Sequence, residues 1–122
     1  MINPPDELRD EEKEFIKSFT DLSSQVHNWA ICKGFWVEGE DRNDGEIIAL
    51  IHSELSEALE AVRKGNPPDE KLPNFDSYTT ELADCIIRIM DVTAARKMPI
   101  AEAIVSKIRF NQGRPYKHGK EF

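Results

Sequence analysis

The stretch IIALIHSELSEALEAV, residues 47–62, decides the fold. Its apolar residues Ile47, Ile51, Leu55, Ala58 and Val62 recur at threes and fours, which is the spacing of one helix face. At 100° per residue, Leu50, Glu54, Glu57 and Ala61 form a second stripe about 60° wide, displaced by about 100° from the first. His52, Ser53, Ser56, Glu60 and Arg63 fall on the opposite face. Glu54 and Glu57 therefore border the packing side, whereas Glu60 points to water. Two like charges at i, i+3 cost a few tenths of a kcal/mol on an isolated helix unless a cation lies between them.

Working outward, the same helical spacing covers most of the chain, and no stretch alternates long enough for a strand. This helix itself is expected over about 44–64, capped by Asn43 with Glu46 three residues on, and closed by Gly65. Before it, Leu8, Phe15, Phe19, Leu22, Val26, Trp29 and Ala30 mark a helical region over about 6–33, with Trp29 on its core stripe. Thr20-Asp21 is a candidate break in that region, and Gly34 a candidate stop. Residues 1–6 read as a loose tail and 35–43 as a loop. After it, the prolines at 67, 68 and 73 require a surface connection. A third helix is expected over about 77–97 with Asp76 as its cap, and a fourth over about 100–112 after the Met98-Pro99 joint. So short a joint predicts that helices three and four are antiparallel neighbours. The result is an all-α, four-helix-bundle-type chain with a polar, basic tail.

The chain has 122 residues, the size of one domain, with 16 basic and 23 acidic side chains and a net charge of −7. That balance argues against a nucleic acid polymer as partner, because a phosphate backbone demands a basic face. No run of 18 apolar residues exists, so no membrane span is expected, and the first residues carry no secretory pattern. Cys32 and Cys85 form no CxxC pair and are expected to be buried free thiols in a reducing, cytoplasmic setting.

The third helix repeats the acidic arrangement. Glu81 and Asp84 are three apart and border an arc of Leu82, Ile86, Ile89, Met90 and Val92. Two helices presenting such pairs at one seam would bring four carboxylates together, and these repel unless a divalent cation joins them. All-oxygen ligands favour a hard ion, Mg²⁺ being the natural choice because it also accepts phosphate oxygens. The plainer alternative is an acidic solvated edge in which Arg88 pairs with Asp84 at i+4.

Glu54-x-x-Glu57, a gap of 23 residues, and Glu81-x-x-Asp84 resemble the ExxE…ExxD signature of the MazG-like all-α nucleoside triphosphate pyrophosphohydrolases. The run Ile51-His52-Ser53-Glu54-Leu55-Ser56-Glu57-Ala58 is similar to that family's first acidic helix, and Lys107…Asn111-x-x-Arg114-Pro115-Tyr116 to its closing segment. The resemblance spans roughly residues 22–118. It implies a pyrophosphohydrolase domain over 21–122 preceded by an extension over 1–20, a site completed by dimerisation, and a homodimer or homotetramer. It also implies Mg²⁺ held by Glu54, Glu57, Glu81 and Asp84. One of Glu54 and Glu57 would orient or deprotonate the water that splits the α–β phosphoanhydride of a (deoxy)nucleoside triphosphate.

A polyanionic substrate needs local cations. Residues 107–122 hold five lysines and arginines against Glu121 alone, while the rest of the chain carries −11. Lys107 and Asn111 share a helix face at i, i+4, and with Arg114 they are the candidate phosphate ligands; a merely solvated basic tail is the alternative. His27 and Trp36, nine apart, match the spacing of a base-contacting pair in some relatives of that family, and indole stacking suits a base. Trp36 could equally be a core or interface aromatic, and His27 a surface one. The same metal motif would serve a phosphoribosyl-ATP pyrophosphohydrolase, and a non-catalytic helical dimerisation module is the remaining reading.

Overall fold

A computed structural model describes residues 7–121; the tail expected at 1–6 lies outside them. Four helices follow in order: α1 over Asp10–Cys32, α2 over Asp44–Arg63, α3 over Ser77–Ala95 and α4 over Ile100–Gln112, with a short 3-10 turn at Tyr116–Gly119. No strand occurs among the described residues, so the chain is an all-α helical bundle. None of the described helices is long and apolar enough to cross a membrane.

Local chemistry explains the helix ends. Asn43 accepts a hydrogen bond from the Glu46 amide at 3.1 Å and Asp76 accepts one from the Thr79 amide at 2.7 Å, satisfying donors that the first turn leaves free. Gly34 takes a φ of 88°, which lets the Phe35 amide donate back to the Ala30 carbonyl at 3.0 Å and stops α1. In the α2–α3 connection, Asp69 accepts from the Lys71 and Leu72 amides and from the Thr80 hydroxyl, so this proline-rich segment is tied to the start of α3.

Four expectations are corrected. α1 runs unbroken through Thr20 and Asp21, so the boundary expected there falls inside a helix. The reason is that Asp21 is used as an i, i+4 partner of Lys17, at 2.7 Å, and caps nothing. α4 packs along α1 and does not lie antiparallel along α3, because the chain turns at Lys97 (φ 54°) and at Pro99 before α4 begins. Trp29 is 59% exposed and Cys32 is exposed; only Cys85 is a buried thiol.

α3 is the centre of the bundle, with α1 and α2 packed on it. The buried apolar side chains are small or slender: Ile47, Ala58, Ala61, Cys85, Met90, Ala101 and Val105. Small residues let the α2 and α3 backbones approach, which draws the second stripe of α2 inward: Glu54 and Ala61 are buried. On the first stripe Ala58 is buried but Leu55 and Val62 are exposed, and Leu82 and Ile86 of α3 are exposed too. Glu54 thus lies deeper than the helical wheel implies, while Glu57 of the same stripe is exposed.

α1 and α4 are locked by charge. Arg109 of α4 donates through Nε to Glu12 Oε2 at 3.0 Å, and its Nη2 reaches Glu12 Oε1 and the Glu7 carbonyl. Glu12 also accepts from the Arg9 amide at 2.8 Å. These donors hold the buried Glu12 carboxyl well below its ordinary value of 4.5, at about 2.

Candidate functional site

α2 and α3 bring three carboxylates to one place. One oxygen from each of Glu54, Glu57 and Glu81 lies within 4.8 Å of the others. Glu54 is buried, Glu81 half-buried and Glu57 exposed, so the group opens outward at Glu57. Oε2 of Glu81 is buried and has no hydrogen-bond partner among the described residues. Burial first, and then the adjoining Glu57 and Glu54, push the Glu81 carboxyl from 4.5 up to about 7. Asp84 stands one turn further along α3, outside the group of three. Desolvation, followed by the charges of Glu54 and Glu57, raises its carboxyl too, with Arg88 opposing.

A buried, unpartnered carboxylate oxygen costs free energy, and a shared cation is the simplest way to satisfy it. The donor set is oxygen only, and its outer member is accessible. It therefore fits a hard divalent ion that retains waters or takes up phosphate oxygens, as Mg²⁺ does.

Arg88 is placed differently from the sequence alternative. Its Nε donates to Glu54 Oε1 at 2.8 Å across the α2–α3 seam and does not form the expected pair with Asp84. One glutamate of the seam is thus already matched by a cation, while Glu57 and Glu81 have none among the described ion pairs.

Beside the seam lies a cavity of about 650 Å³ between α1, α2 and α3. Its walls are Val26, Trp29, Ala30, Phe35, Leu50 and Ile87, and its polar groups are Lys33, Arg42, Glu54, Asp84, Arg88 and Asp91. An apolar slot with a few convergent polar groups is the usual form of a small-molecule site.

His27 and Trp36 are brought together behind Asp91. His27 Nδ1 donates to Asp91 Oδ1 at 2.8 Å, and Trp36 Nε1–H is shared between Oδ1 and Oδ2, both at 3.0 Å. The two rings meet edge to face at 5.2 Å. The Arg42 guanidinium lies 4.6 Å from the centre of the indole ring and that of Arg96 5.7 Å from it. α1, the loop after it and α3 are pinned at this point.

Lys107 and Asn111 are exposed on α4, and Arg114 is half-buried just past its end. Lys107 Nζ and the Arg114 guanidinium lie 5.6 and 5.7 Å from the Phe110 ring centre, so both cations gather at one exposed aromatic. Sequence reasoning missed Asp91, the Arg88–Glu54 pair and the Glu12–Arg109 lock. Asp91 had a signal: two turns beyond Asp84, it falls on nearly the same face of α3. The two ion pairs had none, since both partners are remote in sequence. Comparison with protein-family models, with curated proteins and with solved structures found no match.

Proposed function

We propose that this chain is a Mg²⁺-dependent nucleotide pyrophosphohydrolase of the MazG-like type, cleaving (deoxy)nucleoside triphosphates to monophosphate and pyrophosphate. The observation that carries the reading is the trio of Glu54, Glu57 and Glu81, with its buried, unpartnered Glu81 oxygen, at the edge of a cavity large enough for a whole nucleotide. Glu54, Glu57, Glu81 and, from one turn away, Asp84 would hold the ion. Bound there, Mg²⁺ supplies charge neutralisation at the phosphate oxygens, the main requirement of phosphoryl chemistry.

The chain's own groups do the rest. The exposed Glu57 is best situated to orient and deprotonate an attacking water, because Glu54 is engaged by Arg88 and Glu81 is half-buried with its Oε2 out of reach of solvent. Arg88 screens the cavity end nearest the seam, and the apolar walls exclude water from a bound base. Lys107, Asn111 and Arg114 are the cations and amide available for the outgoing pyrophosphate.

The oligomeric reading rests on a separate observation. Ile48, Leu55, Leu59 and Val62 are all exposed and lie within a stripe about 60° wide on the outer face of α2. Such a ridge, continued by Leu82 and Ile86, suits burial against a second copy of the chain.

The test is a panel of nucleoside triphosphates with Mg²⁺, scored for pyrophosphate against orthophosphate. Pyrophosphate with an equal amount of monophosphate is expected, and light scattering should give at least a dimer that Leu55→Asp dissociates. Absence of pyrophosphate across the panel, with no rise in melting temperature on adding Mg²⁺, overturns the enzymatic reading in favour of a helical interaction module.

A further inference from the structure

Asp91 is the one acid on the cavity wall that lies away from the carboxylate seam. It is two helical turns beyond Asp84, roughly 10 Å along α3 at 1.5 Å per residue. Its side chain is 16% exposed, and His27 and Trp36, which hold it, are not themselves on the cavity wall. The aromatic pair is therefore occupied in orienting a carboxylate. The indole N–H is spent on Asp91, its edge meets His27, and Arg42 lies against the ring.

A carboxylate only accepts hydrogen bonds and has about four lone-pair sites. Oδ1 takes donors from both His27 and Trp36, whereas Oδ2 takes only its share of the indole N–H. Acceptor capacity remains on Oδ2, and Asp91 lines the cavity together with apolar side chains such as Val26, Phe35 and Ile87. On the nucleotide reading the ion at the seam holds the phosphates, so the base end of a nucleotide is what reaches Asp91. Resting on the nucleotide reading above, we infer that Asp91 recognises an exocyclic amine on the base, with His27 and Trp36 as positioning residues. Cytosine and adenine present that amine. Uracil and hypoxanthine place a carbonyl oxygen at the same position, setting two acceptors face to face in a desolvated pocket.

The experiment measures pyrophosphate release from dCTP against dUTP, and from dATP against deoxyinosine triphosphate, by the full chain with Mg²⁺. The amino member of each pair is expected to be preferred by about 10-fold or more in kcat/KM, mostly through KM. Asp91→Asn, whose amide donates as well as accepts, should bring both ratios within about twofold of unity. Trp36→Phe, which keeps a ring but loses the N–H, should lower both ratios without reversing them. A merely structural clamp would change all four rates together and leave the ratios alone. Equal wild-type rates within both pairs overturn the inference while leaving the pyrophosphohydrolase reading standing, and ratios that survive both substitutions do the same. If no member of either pair is hydrolysed, both readings fall. Should Asp91→Asn not fold, the wild-type ratios and Trp36→Phe decide the matter.

Discussion

Glu12 and Glu81 are the same kind of side chain, both taken largely out of water, and their environments drive them in opposite directions. Glu12 meets a guanidinium and a backbone amide and is pulled down to about 2. Glu81 meets two further glutamates and is pushed up to about 7. The first is a completed interaction that joins α4 to α1. The second is an incomplete one, left short of positive charge. A bound cation would supply the missing charge, so a deficit of this kind is where the proposed function is to be tested, whereas the satisfied pair is a structural tie.

The largest effect that would sharpen this contrast is at Glu81. Glu81→Gln should lower pyrophosphate release by about 100-fold or more, since it removes a metal ligand and its charge. The same change should raise the melting temperature without Mg²⁺ by about 2–5 °C, because it relieves repulsion. A fall instead would mean that the seam is scaffold.

Glu12→Ala should do the reverse. It leaves Arg109 half-buried with its main acceptor gone and detaches α4 from α1, so thermal stability should drop clearly while Mg²⁺-induced stabilisation persists. Calorimetry with and without Mg²⁺ separates the two.

Titration distinguishes the regions again. Glu12 is depressed from 4.5 to about 2, so its contribution is present above about pH 4.5 and is lost as pH falls toward 2. Glu81 is raised from 4.5 to about 7, so the folded chain binds more protons than the unfolded one between those values. Its contribution to stability therefore declines as pH rises from about 4.5 to 7 and levels off above. Melting curves without metal should follow that decline, and saturating Mg²⁺, which binds the charged form, should abolish it. A decline unaltered by Mg²⁺ would break the assignment.

The smallest effect contrasts two neighbours on α4. Lys107→Ala should raise KM for a triphosphate by about 10-fold with melting temperature nearly unchanged, whereas Arg109→Ala should lower the melting temperature. Equal thermal losses at the two positions would place Lys107 with the scaffold.

Several of these features were legible in the residues alone. Asn43 and Asp76 cap the helices they precede because a cap acts over three residues, and Gly34 ends α1 for an equally local reason. The acidic pairs Glu54/Glu57 and Glu81/Asp84 were visible for the same cause, since helical pitch alone puts residues three apart on one side. The apparent break at Thr20-Asp21 misled because a capping residue and an i, i+4 salt-bridge partner look alike until Lys17 is seen to hold Asp21. Trp29 misled because an apolar stripe reports what a helix can bury and not how much of it the remaining chain covers.

By itself, then, the order of residues determined the helical regions, the caps of α2 and α3 and the two acidic pairs, all of which depend on interactions within a few positions. Tertiary structure alone decided that α4 docks on α1, that Arg88 answers Glu54 and that Asp91 gathers His27 and Trp36. Those partners are 34 to 97 positions apart, and helical periodicity is blind to pairing over such distances. It was also packing that chose the small-residue stripe of α2 for the interior, since alanines allow two backbones to close where leucines would hold them apart. That choice carried Glu54 inward with them.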